Sequence, residues 1–173
     1  AVVITYKAEI LASATSIDPA KNTAKLTYSN KPGSTKDATE KKTYTYTFEL
    51  DDEFTKVDEN GNPLDGCTFT LTNKNTKKVY TCTTKNVDDK AKIHFEGLDA
   101  GEYTLVETVA KDGYSINNTK YTVVITPEYN TNGTLKSKTI TIDGKTDKVV
   151  VRNTKISALP STGGIGTTIF TIA

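Results

Sequence analysis

Between Phe54 and Asn153, apolar and polar residues alternate over short stretches, and the breaks include Asn60-Gly61, Asp112-Gly113, Asn132-Gly133 and Asp143-Gly144. A period of two punctuated by such turn pairs is the signature of half-buried strands joined by tight connections. Nowhere does a 3.6-residue apolar period persist long enough for an amphipathic helix. The fold class expected is therefore all-β, in a two-sheet sandwich of about seven or eight strands. Composition agrees: roughly one residue in five is Thr, which with Tyr and Val favours a pleated surface. A hydrophobic share of 35% suits a thin sandwich with one wet face on each sheet.

The same composition removes several function classes. Lys and Arg total 22 against 21 Asp and Glu, interspersed along the chain, so nucleic acid is not an expected partner. One His and two separated Cys leave little material for a metal centre or a nucleophilic triad, and neither a cofactor nor enzymatic turnover is expected. No run of about 18 apolar residues is present. Ala1–Lys7 lacks the basic start and cleavage site of a signal peptide and reads as the middle of a strand.

Three segments are expected. Residues 1–50 offer about three strands (1–11, 22–29 and a run from Thr43 to Leu50), too few to close a sandwich. They read as the C-terminal fragment of a preceding β-domain. In the third of these strands Tyr44, Tyr46, Phe48 and Leu50 share one face. Residues 51–155 read as a complete β-sandwich, and residues 156–173 as a tail.

Strand parity raises a chemical question. Lys56 shares a side with Phe54, Glu107 with Tyr103 and Leu105, and Asn153 with Val149 and Val151. If those apolar neighbours face the core, an amine, a carboxyl and an amide are all aimed inward, where each needs a partner. Val57, Val106 and Val150 offer an apolar opposite face, so polar residues on the wet sides of the sheets are the plainer reading of parity alone. An inward trio would have a definite chemistry. Desolvation lowers the pKa of an amine and raises that of a carboxyl, so a neutral Lys can coexist with a protonated Glu. The amine can then attack the Asn carbonyl while Glu polarises it and carries protons, and ammonia leaves.

Three motifs resemble a known family. Phe54-Thr55-Lys56-Val57-Asp58 with Asn60 to Leu71, the Gly101–Thr108 stretch through Asp112-Gly113-Tyr114, and Lys148–Lys155 are similar to the opening strand, E-box and closing strand of collagen-adhesin B-type domains. These domains occur in surface proteins of Gram-positive bacteria. The resemblance spans residues 54–155 and implies an immunoglobulin-like sandwich. It also implies a spontaneous isopeptide bond joining Lys56 to Asn153, with Glu107 as the catalytic proton shuttle. Ala110-Lys111 departs from the more common Ala-Pro of the E-box.

Leu159-Pro160-Ser161-Thr162-Gly163 resembles the LPxTG sorting signal recognised by sortase transpeptidases. Pro160 disfavours helix at Leu159, and Gly163 leaves the carbonyl of Thr162 uncrowded, as an extended substrate requires. The resemblance implies acyl transfer from Thr162 to an amine on a neighbouring pilin subunit or on peptidoglycan. The apolar span and basic tail usual after such a signal are missing beyond Ala173. Asn22–Pro32 is similar to the end of the penultimate domain of backbone pilins, where Asn30 would be an isopeptide acceptor; as a plain turn residue before Lys31-Pro32 it is equally well explained.

Together these resemblances imply a structural subunit of a Gram-positive pilus, exposed on the cell surface. The alternative is the stalk or ligand-binding module of an anchored adhesin facing a host ligand. No Tyr-Pro-Lys acceptor motif for polymerisation is present. Cys67 and Cys82 could pair across a hairpin, and the sequence leaves a disulfide and two small buried thiols equally open. The acidic stretch around Asp58 lacks the glycine of a calcium loop. His94 should point outward, away from any role as a base.

Overall fold

The computed structural model describes residues 20–27 and 38–157, together with Thr5 and Lys7. Among these the chain forms thirteen strands and no helix. It is an all-β sandwich, as the alternation predicts. One layer is an antiparallel five-stranded sheet built from β5 (Thr68–Asn73), β6 (Val79–Thr83), β10 (Gly101–Val109), β11 (Tyr121–Tyr129) and β12 (Leu135–Ile142), in the order β12-β11-β10-β5-β6. The other contains β4 (Phe54–Val57), β7 (Lys85–Val87), β8 (Lys90–Lys92) and β13 (Val149–Arg152), in the order β13-β4-β8-β7. A short pair, β3 (Phe48–Leu50) with β9 (Phe95–Leu98), extends the sandwich, and β1 (Ala20–Thr27) forms a hairpin with β2 (Ala38–Thr45).

Alternation in sequence becomes alternation in burial. Along β5, Phe69, Leu71 and Asn73 point inward, and along β10, Tyr103, Leu105 and Glu107 do so. With Phe54, Ile93, Val123, Ile125 and Val151 these apolar side chains make one continuous core. The turn pairs also fall as expected. Gly61 and Gly133 take positive φ (89° and 83°), a conformation open to glycine at little cost, and each donates its N–H back across its turn, to Asp58 and Asn130. Ala91, Ile93 and Phe95 are buried and His94 is exposed, in keeping with their parity.

The pairing that matters most for function is between β4 and β13, strands nearly a hundred residues apart in sequence. β4 and β13 are neighbours and run parallel, with Val149 opposite Phe54, Val151 opposite Lys56 and Arg152 opposite Val57. Asn153 extends this ladder by donating its N–H to the carbonyl of Val57 at 3.0 Å. Parallel neighbours cannot be joined by a hairpin, so nearly the whole domain lies between them in sequence.

Two expectations need correction. The boundary at residue 50 is too late, because Tyr46, Phe48 and Leu50 belong to the same core as Phe54 and Leu98, and β3 pairs with β9. Nor is Thr43–Leu50 a single strand. The chain breaks between β2 and β3, and Tyr46, Thr47 and Phe48 are all buried in succession. Only Thr47 departs from the two-residue alternation: Tyr46, Phe48 and Leu50 are buried in the core and Tyr44 packs against it. Apart from Thr5 and Lys7, the expected strand at 1–11 lies outside the described residues, as do Asn30 and residues 158–173, which hold the Leu159–Gly163 motif.

Candidate functional site: a buried lysine, glutamate and asparagine

Lys56, Glu107 and Asn153 meet inside the sandwich. β4 turns Phe54 and Lys56 to the core, β10 carries Glu107 across from the other sheet, and Asn153 follows directly on β13. All three are buried, Lys56 completely. Glu107 precedes a register shift in the β10–β5 pairing, between Glu107 and Val109.

The contacts form a closed triangle. Lys56 Nζ donates to Glu107 Oε2 at 3.0 Å and also to Asn153 Oδ1. Asn153 Nδ2 donates to Glu107 Oε1 at 2.7 Å. The backbone N–H of Asn117 adds a further donor to Glu107 Oε2 at 3.1 Å. Cys67 Sγ lies 4.0 Å from Asn153 Nδ2, and the Phe69 ring lies beneath Lys56 Nζ, 5.7 Å from its centroid. Among the described residues no buried side-chain nitrogen or oxygen is left without a partner. That closure is what makes burial of an amine and a carboxyl tolerable. Burial pulls the Lys56 pKa below the ordinary lysine value, while the hydrogen bond and charge of Glu107 act in the opposite direction.

This arrangement suits proton transfer. One carboxyl oxygen of Glu107 touches the amine and the other touches the amide nitrogen, so a single group bridges a nucleophile and a leaving group. The carbonyl oxygen of Asn153 faces Lys56 rather than Glu107. Glu107 thus contacts the amide nitrogen and the amine, and not the carbonyl oxygen that it was expected to polarise.

The model of the family SpaA, prealbumin-like fold domain, matches residues 51–139. The chain belongs to the SpaA prealbumin-like domain family. The matched span holds Lys56 and Glu107, while Asn153 and the β3 strand lie outside it. Among solved structures, the C-terminal fragment of the pilus adhesin SpaC from Lactobacillus rhamnosus GG is similar at 24% identity and a TM-score of 0.46, over 69% of this chain and 51% of that one. BcpA, the major pilin subunit of Bacillus cereus, is similar at 27% identity and a TM-score of 0.40, over 62% of this chain and 28% of that one. The group B streptococcus pilus 2b backbone protein is similar at 22% identity and a TM-score of 0.43, over 76% and 49% of the two chains. The chain thus spans about half the length of the SpaC fragment. No curated protein matches it.

Elsewhere in the SpaA-type domain the other sequence candidates fall into structural roles. The Cys67–Cys82 disulfide is not formed, and both thiols are free. The register explains why: Cys82 lies opposite Phe69, whereas the Cys67 carbonyl accepts from the Thr84 N–H and the Cys67 N–H donates to the Thr84 hydroxyl oxygen, so the two cysteines are diagonal neighbours. Diagonal positions are about 7–8 Å apart, too far for a disulfide of ordinary geometry. Asp58 is a turn organiser, its carboxylate accepting from the N–H groups of Asn60 and Asn62 and from the Asn62 amide. His94 is exposed beside Asp51, and among the described residues no group of three metal-ligating side chains comes together. Sequence reasoning missed Asn117 and the place of Cys67 in the wall of the site. Nothing local in the sequence marks the N–H of Asn117 as a partner of Glu107.

Proposed function

We propose that this chain is a structural subunit of a Gram-positive cell-surface pilus, and that its SpaA-type domain cross-links itself once, between Lys56 and Asn153. The observation that carries the reading is the closed, buried contact of Lys56, Glu107 and Asn153. In the step proposed, the neutral Nζ of Lys56 attacks Cγ of Asn153. The carboxylate of Glu107 takes one amine proton through Oε2 and delivers one to Nδ2 through Oε1. The Nζ–Cγ bond forms, the Cγ–Nδ2 bond breaks, and ammonia leaves. The low-dielectric surroundings favour the neutral amine, in line with the lowered Lys56 pKa.

Family membership and the LPSTG motif at Leu159–Gly163 support export and covalent attachment. A sortase cysteine would attack the Thr162 carbonyl, release Gly163 onward and pass the acyl group to an amine of a neighbouring subunit or of peptidoglycan. Intact mass tests the cross-link. The wild-type chain should weigh about 17 Da less than its sequence, and Lys56→Ala, Glu107→Ala and Asn153→Ala should each restore full mass. A wild-type chain of full mass would overturn the reading. For attachment, incubation with a sortase and an amine nucleophile should release a peptide beginning at Gly163, and an uncleaved chain would count against it.

A further inference from the structure

The segment between β10 and β11 does more than connect them. It lies along the edge of β13 that β4 leaves free, and it grips the chain on both sides of Asn153. Asn117 Nδ2 donates to the carbonyl of Arg152 at 3.0 Å. Ser115 donates to the carbonyl of Thr154 twice, through its N–H at 2.9 Å and its hydroxyl at 3.1 Å. Ile156 returns a bond from its N–H to the carbonyl of Gly113 at 2.8 Å. The two carbonyls flanking the acceptor residue are thus both held by the same short segment.

The backbone N–H of Asn117 also donates to Glu107 Oε2, the oxygen that meets Lys56 Nζ. One half-buried residue therefore touches the acid through its main chain and the strand bearing the acceptor through its side chain. Its own carbonyl oxygen, Oδ1, accepts from the Thr119 N–H at 2.9 Å, which fixes the direction of the amide. A carboxyl that must bridge two nitrogens gains from a fixed donor on its back, because geometric slack of about 1 Å can cost a reaction 100-fold.

We propose that Asn117 is a positioning residue for the cross-linking step. It couples the orientation of Glu107 to the docking of β13, so that the acid is aligned only when Asn153 is in place. The proposal rests on the isopeptide reading above and deepens it. It assigns to the 113–117 segment the task of separating two events, folding and bond formation.

The test follows newly made full-length chain in a cell-free synthesis reaction. Folding is read by protease resistance and linkage by the loss of about 17 Da. In wild type, linkage should follow folding closely. Asn117→Ala should fold and then accumulate as a folded, unlinked species, linking at least about tenfold more slowly. Asn117→Asp, which keeps an acceptor for Thr119 but cannot donate to Arg152, should be slowed as well. Ser115→Ala removes the hydroxyl contacts to Thr154 but keeps the N–H bond to its carbonyl, and it should show the same lag in weaker form, which keeps the idea testable if the Asn117 variants fail to fold. A purely structural role predicts that every folded chain is linked without delay, and that result in Asn117→Ala, or in Ser115→Ala should it alone fold, would overturn the proposal. Wild type of full mass would remove the isopeptide reading and this inference together.

Discussion

Lys56 is the residue whose placement is hardest to explain by packing alone. A fully buried amine gives up its hydration, and it is tolerated because Glu107 and Asn153 occupy its donors while the Phe69 ring lies below it. The balance between burial and the Glu107 charge still leaves its pKa below 10.5. This predicts the pH dependence of linkage. As a protonated amine is no nucleophile, the rate should fall as pH drops below the Lys56 pKa and level off above it, with the knee under 10.5. Rates measured on chain folded at a series of pH values would locate the knee, and one at or above 10.5 would contradict the assigned nucleophile. Parity grouped Lys56, Glu107 and Asn153 with their apolar neighbours but could not choose between a dry and a wet face, and by itself it favoured the wet one. The flanking Val57, Val106 and Val150 are apolar too, and only pairing across two sheets shows that Val150 is the exposed one. Cys67 was legible as a small inward residue. Its separation from Cys82 was not, because a two-residue difference in register turns direct neighbours into diagonal ones.

At the scale of elements, the sandwich strands from Phe54 onward were legible because alternation and turn chemistry agree there. The stretch before Phe54 was not. Tyr46, Thr47 and Phe48 are buried in sequence, and β3 finds its partner in β9, nearly fifty residues away, so no local pattern announces that it belongs to the sandwich. The β7–β8 hairpin was half visible for the opposite reason. The side chains of β7 are all exposed, and it shows no apolar alternation to detect. The misplaced boundary has a measurable consequence. A chain beginning at Asp51 loses Phe48 and Leu50, each worth about 1.5–3 kcal/mol of burial, and should be about 3–6 kcal/mol less stable than one beginning at Thr47. Urea midpoints of the two, both carrying Asn153→Ala to remove any linkage, would show it. Equal midpoints would mean that β3 contributes nothing to the sandwich.

For the molecule as a whole, the decisive fact is that Lys56 and Asn153 are 97 residues apart in sequence and in contact in space. Treated as a loop closure, a bond between them would stabilise the fold by about 4–5 kcal/mol through the unfolded state. Asn153→Ala removes the bond while leaving the Lys56–Glu107 contact in place, and it should lower the Tm by about 15–30 °C. Pulled from its ends, the wild-type domain should not lengthen between β4 and β13. The variant should release up to about 330 Å as those 97 residues extend. Single-molecule extension distinguishes the two directly, and a wild-type domain that lengthens as far as the variant would rule out a covalent path.

The parallel contact of β4 and β13 also changes what a break in the backbone means. With the proposed bond made, residues 56–153 become a closed ring from which the two tails depart at neighbouring points. A protease that cuts the exposed turn at Asn132-Gly133 opens that ring but severs nothing from it. The tail before Lys56 and the tail after Asn153 still belong to one molecule, so a nicked subunit would remain whole where an ordinary sandwich would come apart in two.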